Sequence, residues 1–393
     1  MNKEIINKII EPQWMKEIRM GAWDKFQQIP MPTIKDEEWK YTDISSLDLT
    51  KINPSTINKM MFEVSDKLKK SGVIITDLRD AIENHEELVK KYFSSVVTPN
   101  KKFDYLNFAF WNNGIFIYVP EGVNVDIPVR AAFLTKDVSA IFTHNLIILE
   151  PNSSINFYEE YSSNASDKQS LQSGITEIIV KENSHIDFVS IQEWNDNFYD
   201  FSTKKAILER DATITWIFGC FGGKVTKWNI NTVLNGEGSQ TKNLGVFFGN
   251  KKQHFDISTN AYHLVPRTTN NILTKGVLSD NATSVYHGLI SVEKDAQKTD
   301  SYLADHTLVL SENALANSIP ELKIEANDVR ATHGATIGKI DEEQLFYLIS
   351  RGLSRNEAEL LIVKGFFEPV IQKIPMEDIR GKIQKIIEGK MSV

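Results

Sequence analysis

Ile147-Ile148-Leu149-Glu150-Pro151-Asn152-Ser153-Ser154-Ile155-Asn156-Phe157 reads as an apolar run, a polar turn and a second apolar run. The same phrase returns at 178–188, 206–216, 276–286 and 307–315. Its turn centres, near Asn152, Asn183, Asp211, Asn281 and Asn313, are spaced by roughly 30 residues with one wider interval, a period typical of stacked repeats. In a solenoid each rung lays its apolar face on the next, so no rung needs a core of its own. A two-sheet antiparallel sandwich also produces short strands at regular intervals, and the pattern alone leaves both open.

Working outward, the β-rich pattern holds from about Phe103 to Ile324, with Asn, Asp, Gly and Ser at the turns. Upstream the periodicity is helical. Pro12 opens a segment with Trp14, Met15, Ile18, Ala22 and Phe26 at helical spacing, and Ile29-Pro30-Met31-Pro32 stops it. Leu78, Ile82, Leu88 and Tyr92 make a second stripe, predicting a helix from about Asp77 to Phe93.

Downstream lies a helical hairpin with explicit signals. Asp341 with Gln344 reads as a capping box, Arg351-Gly352 as a stop, and Ser354 with Glu357 as a second box. Leu345, Phe346, Leu348 and Ile349 form one apolar stripe; Leu360, Leu361, Val363 and Phe366 form another. Pro375 precedes a last helix expected from about Met376 to Ile387. The expected organisation is a mostly helical domain over 1–102, a β core over 103–330 and a helical domain over 331–393.

The 393 residues have the apolar and charged fractions of an ordinary globular protein, and the formal charge is −8. That balance argues against broad binding to nucleic acid or anionic membrane, which favour basic faces. No run approaches the roughly 18 apolar residues of a membrane span. Lys3, Glu4, Lys8 and Glu11 interrupt the N-terminus in a way no signal peptide does, so a cytoplasmic location is expected. The single cysteine, Cys220, sits in the apolar run Trp216–Gly223 and reads as a small buried hydrophobe.

His333-Gly334-Ala335-Thr336 leads through Gly338 and Ile340-Asp341 to Gln344-Leu345-Phe346-Tyr347-Leu348. Ser350-Arg351-Gly352-Leu353, Glu357-Ala358, Val363 and Gly365-Phe366 follow without a gap. This string resembles the C-terminal signature of the SufB/SufD family of iron–sulfur cluster assembly proteins, in the form typical of SufD. Three further stretches resemble family elements: Glu37-Glu38-Trp39-Lys40-Tyr41-Thr42, Gly114 to Pro120, and Gln297-Lys298-Thr299-Asp300-Ser301-Tyr302. Glu11-Pro12-Gln13-Trp14-Met15 and Pro30-Met31-Pro32-Thr33 are similar instead to SufB-type N-termini. Asp305-His306 departs from the asparagine-rich sequence usual in the family and receives no role.

The resemblance implies a right-handed parallel β-helix with helical regions at both ends, and decides between the two folds. It implies a non-catalytic assembly subunit that pairs with a SufB-like paralogue, or with a second copy as a homodimer. SufC, an ABC-type ATPase, would dock on the helical end and supply the ATP hydrolysis. His333 stands where the SufD signature has its histidine, a candidate iron or cluster ligand facing the partner subunit. Read from the residues alone, it is equally a turn histidine bonded to backbone.

A stable cluster needs about four ligands, mostly thiolates, so this chain alone binds none; iron or a cluster would be transient and shared with a partner. SufB-type chains follow the histidine with glutamate and carry a cysteine some nine residues before it. Here those places hold Gly334 and the stretch Leu322-Lys323-Ile324-Glu325, and Ala331 stands where SufD-type chains often have cysteine. The thiolate that would accept persulfide sulfur is absent from these places.

Phe346, Tyr347, Arg351, Phe366 and Phe367 combine the aromatic and arginine character of interface anchors, so one stripe is expected to pack inward and the other to dock. His254, His263, His287 and His306 lack the spacing of a zinc site. The runs after His333 and Gly245 fail as phosphate loops on spacing. The alternatives are a homodimeric scaffold working with the ATPase alone and a β-helix enzyme acting on polysaccharide. The second lacks an evident carboxylate pair.

Overall fold

The computed structural model describes residues 1–54, 60–62, 68, 70–135 and 139–392. Its centre is a parallel β-solenoid, with helices at both ends. From Ile115–Val119 onward, successive strands alternate between two sheets of nine strands each, and strands two places apart pair in parallel. Ser154 lies beside His185, Thr213 beside Gln240 and Thr269 beside Asp300, all in parallel register. Parallel pairing throughout the coil rules out the antiparallel sandwich.

The turns explain the irregular spacing. Asn152, Asn183 and Asp211 occupy one edge of the coil with left-handed backbone, φ 58°, 54° and 54°, and Gly238 and Arg267 continue that column. Asn281 and Asn313 lie in turns at the opposite edge, after strands Thr269–Leu278 and Asp300–Val309. The wide interval is therefore a change of edge. Asparagine is well suited to a stacked left-handed turn because its short amide also bonds the next rung. Asn183 Nδ2 donates to Asn152 Oδ1 at 2.8 Å.

Alternate side chains point into the coil and form one continuous core. Phe157, Phe188 and Trp216 stack in one column, with ring centroids 5.4 and 5.1 Å apart. Large residues are followed by small ones where space runs short. A Cβ at Gly245 would lie 2.1 Å from Cζ of Phe218, and one at Gly276 would lie 2.0 Å from Cζ of Phe247.

Helices cover the two outer faces at different places. The N-terminal helices pack on the first strands of the second sheet, so strands Ala140–Leu149 and Ser170–Val180 are buried on both sides. Glu177 pins this layer. Its carboxylate accepts from the backbone N–H of Ser94, Val96 and Val97 at 2.8–2.9 Å and sits 2.9 Å from His144 Nε2. Trp14, Met15, Ile18, Ala22 and Phe26 lie on the helix Gln13–Gln28, and three of them, Met15, Ala22 and Phe26, are buried. The stretch expected as one helix from Asp77 is two, Leu78–Asn84 and Glu86–Tyr92, broken at His85, whose backbone leaves the helical region.

The C-terminal helices Arg355–Ile371 and Glu377–Met391 pack on the outer face of the first sheet, against Val189, Ile217, Val246 and Phe248. The strand region extends to Lys339, so residues 331–339 belong to the last strand of the coil.

The tight pairing of glycine with aromatic rings gives a direct test. Gly276→Ala should destabilise by about 1–3 kcal/mol, because the added Cβ would overlap the buried Phe247 ring. Urea unfolding measures this, and an unchanged midpoint would refute the packing account.

Candidate functional site

The coil is closed at its start and open at its finish. At the start, Met60–Phe62 pairs antiparallel with the strand Asn124–Thr135, and Ile74–Asp77 pairs antiparallel with Ile115–Val119. At the finish, Leu315–Ile324 and Arg330–Lys339 are the outermost strands of their sheets among the described residues. Each therefore presents a row of backbone donors and acceptors with no strand beyond it. Their inward columns are also uncovered. Leu322 and Ile324 continue the columns of the buried Ile290 and Val292 but are 36% and 40% exposed.

His333 lies at this opening. It is on the last strand rather than in a turn, and its register partner is Leu303, followed in the same column by Ile272. Those residues fill the interior in the preceding rungs. His333 takes an interior position and remains exposed because no further rung covers it.

One rung deeper, Asp305 occupies the neighbouring inward column, beside Ala335. It is fully buried, and among the described residues neither carboxylate oxygen has a hydrogen-bond donor in bonding geometry. Burial pushes its carboxyl up to about 7, with the Ser318 hydroxyl drawing it slightly back. Deeper acidic residues are provided for. Glu159 pairs with Lys204, and Asp200 accepts from the indoles of Trp194 and Trp228 at 3.0 and 2.9 Å. Asp305 is thus the least compensated of these interior carboxylates. The departure at Asp305-His306 was visible in sequence, but its burial was not.

The hairpin after the coil follows the expected stripes only in part: Leu345 of the first and Val363 of the second are buried, while Phe346, Ile349 and Leu361 are exposed. Asp341 accepts from the backbone N–H of Glu343 and Gln344, starting the helix Glu342–Ser350. Gly352, at φ 98°, ends it, and the full reciprocal box forms between Ser354 and Glu357. On the first helix only Leu345 is buried. Phe346 is 73% exposed and Tyr347 56%, with the Arg351 guanidinium 5.1 Å from the Tyr347 ring. Phe366 is half-buried under the Lys275 ammonium at 4.4 Å, and Phe367 is fully buried against Phe248. Of the five anchor candidates, three form the exposed face and Phe367 belongs to the core.

The remaining candidates do not converge. His254 bonds Thr42 and Thr283, and His263 is buried against Thr268 with its imidazole pushed down to about 4 by burial. His287 is 3.9 Å from Asp256 on the outside of the second sheet, and His306 lies on the first. No group of three or more His, Cys, Asp or Glu side chains could hold a metal ion among the described residues. Cys220 is buried in the core, and burial pushes its thiol well up, which leaves it unreactive. The His144–Glu177 pair escaped the sequence reading, since 33 residues separate its members and no local pattern marks either.

Two family models cover most of the chain: the SufBD core domain of the SUF iron–sulfur cluster assembly system over residues 132–366, and the SufBD N-terminal region over 48–131. The chain belongs to the SufBD family. An iron–sulfur cluster assembly SufBD family protein of Staphylococcus saprophyticus is 31% identical, covering 95% of this chain and 89% of its own length. The iron–sulfur cluster assembly protein SufB of Bacillus subtilis is 30% identical over 96% of this chain and 90% of its own. No helix among the described residues of this SufBD protein is long and apolar enough to cross a membrane.

Asp305 generates a pH prediction. Its unfolded carboxyl titrates near 3.8 and its folded one near 7, so between these values the folded state holds a proton that the unfolded chain has released. Stability from this group is present below the lower value and is lost as pH rises through the upper one. Asp305→Asn should therefore raise stability at pH 8, by on the order of 4 kcal/mol at most, and change little at pH 4. Thermal unfolding across this range would sink the account if wild type and variant ran parallel.

Proposed function

We propose that this chain is a SufD-like, non-catalytic subunit of a SufBCD-type assembly complex. Its open coil end pairs edge to edge with a SufB-like paralogue. The exposed face of Phe346, Tyr347 and Arg351 docks the ATPase SufC. Iron or a nascent cluster is cargo at the shared interface, where His333 contributes one ligand and the partner supplies the thiolates.

The observation that carries this reading is an interior column, Ile272 then Leu303, that ends in the exposed His333 at the open end of the coil. Backbone edges and uncovered core columns coincide there, so a partner strand would satisfy both at once. An imidazole alone cannot hold a cluster, which is why the ligand set is assigned across two chains. The chain has one cysteine, and it is buried, which favours a partner role over that of a self-sufficient scaffold. The homodimeric scaffold with SufC remains the second reading, favoured by the likeness to a relative named SufB. Family membership sets the polysaccharide reading aside.

Anaerobic affinity purification of the tagged chain from its native extract tests the proposal. Recovery of an ABC-type ATPase together with a cysteine-bearing paralogue is expected. The ATPase with only further copies of this chain would replace the heterocomplex with the homodimer, and recovery of neither would refute both. Within the recovered complex, Phe346→Ala with Arg351→Ala should weaken ATPase retention by about tenfold or more while keeping the paralogue. His333→Ala should leave the assembly intact and abolish cluster loading. Unchanged loading would remove His333 as a ligand.

A further inference from the structure

A groove of about 570 Å³ lies between the C-terminal helix Glu377–Met391 and the turns at one edge of the coil, around Asp196 and Lys251. It is away from the open end and from the exposed hairpin face. It is shallow and open to solvent, lined mostly by polar and charged side chains.

The helix wall of this groove has the wrong chemistry for simple packing. Ile379, Ile383 and Ile387 form the buried stripe that seats the helix on the first sheet. The adjoining stripe, Lys382, Lys385, Ile386, Gly389 and Lys390, follows the i, i+3, i+4, i+7, i+8 spacing that a covered face normally fills with apolar residues. Here it carries three lysines and a glycine. A Cβ at Gly389 would meet nothing within 4 Å, so packing does not demand glycine, which costs about 1 kcal/mol relative to alanine in a helix. The effect is to leave room beside the lysines.

Charge in the groove is unbalanced. Lys251, Lys382, Lys385 and Lys390 line it with only Glu193 and Asp196 as carboxylates. Lys382 is occupied by Glu160 and Glu193, and Lys251 by Asp196. Lys390 has no carboxylate partner among the described residues. Its ammonium donates instead to the neutral amide oxygens of Asn250 and Gln253, both at 2.9 Å. Lys385 is exposed and has no ion pair among them. Burial pushes the Lys390 amine down to about 7, while Asp196, Glu193 and Asp280 draw it partly back without forming an ion pair with it.

We propose that this groove is a binding site for a small polyanion, one bearing two or more phosphate or carboxylate groups, with Lys390 and Lys385 as its cationic contacts. Asn250 and Gln253 hold the Lys390 ammonium in place, as amides that orient the cation without neutralising it. An anion entering beside Gly389 meets the two lysines that have no ion pair among the described residues, and its charge would favour the protonated form of Lys390, while the paired lysines remain on their carboxylates. The overall charge of −8 would otherwise repel such a ligand, so the local excess of lysine makes the groove the favoured point of attachment.

Calorimetric titration of the full chain with inorganic pyrophosphate, and separately with citrate, tests this. Saturable one-to-one binding is expected in at least one arm, and the arm that responds identifies the acid group. Lys385→Ala is a surface change that leaves the fold alone, and Lys390→Met keeps the stem's volume. Each should weaken binding by about tenfold or more. Lys101→Ala, in the N-terminal region, should leave it unchanged. Absence of saturable binding to both anions, or equal affinity in wild type and both groove variants, would overturn the proposal.

Discussion

A parallel coil obeys one constraint that the rest of the molecule answers to: every rung satisfies its backbone polar groups and its inward side chains on the next rung, so a coil has two ends to deal with. At the first end this chain turns two short strands back antiparallel and lays helices over the adjoining face. At the other end the coil stops at Leu315–Ile324 and Arg330–Lys339 with apolar columns and strand edges exposed together. This asymmetry gives the molecule a direction. It also puts the sole histidine of the last strand where a second chain would complete the coil.

The interior follows a second rule, set by the cost of burying polar groups without partners. Deep in the coil the charges are matched, Glu159 with Lys204 and Asp200 with two indoles and the Ser202 hydroxyl. Near the open end that matching stops at Asp305. The change coincides with the last covered rung. Burial raises the carboxyl of Asp305 to about 7, so a fully buried carboxyl is tolerated there most readily in its protonated form. The same logic at the C-terminal helix leaves Lys390 among amides instead of carboxylates. Of the two, only Lys390 adjoins open space, in the groove beside Gly389.

The outer faces divide the labour. The second sheet is covered early by the N-terminal layer, pinned through Glu177, and the first is covered by the C-terminal helices, tied down by Arg130 to Asp378 and Lys382 to Glu160. The hairpin Glu342–Ser350 stands clear of both, with one buried leucine and a face of Phe346 and Tyr347. An exposed aromatic and arginine face beside an open coil end suits a subunit whose surfaces are made to be covered by others.

Much of this was local and therefore legible in the sequence. Apolar runs between asparagine turns showed short strands at regular intervals, but that pattern left stacked coil and sandwich open until the family resemblance decided between them. The left-handed turns themselves take Asn152, Asn183 and Gly238 but also Asp211 and Arg267. The caps at Asp341 and Ser354, and the stop at Gly352, depend on bonds spanning two or three residues and were read directly, except that Asp341 caps its helix without the reciprocal bond expected from Gln344. The long string from His333 to Phe366 carried the family. What the sequence could not order were contacts between rungs: which edge each turn belongs to, that Phe367 turns inward while Phe346 faces out, that Asp305 is buried without a partner, and that Glu177 meets His144. Those depend on register, and in a parallel coil register is set by the summed packing of all the rungs. Only the assembled structure could make an exposed histidine out of an interior position, because exposure there comes from the rung that does not follow.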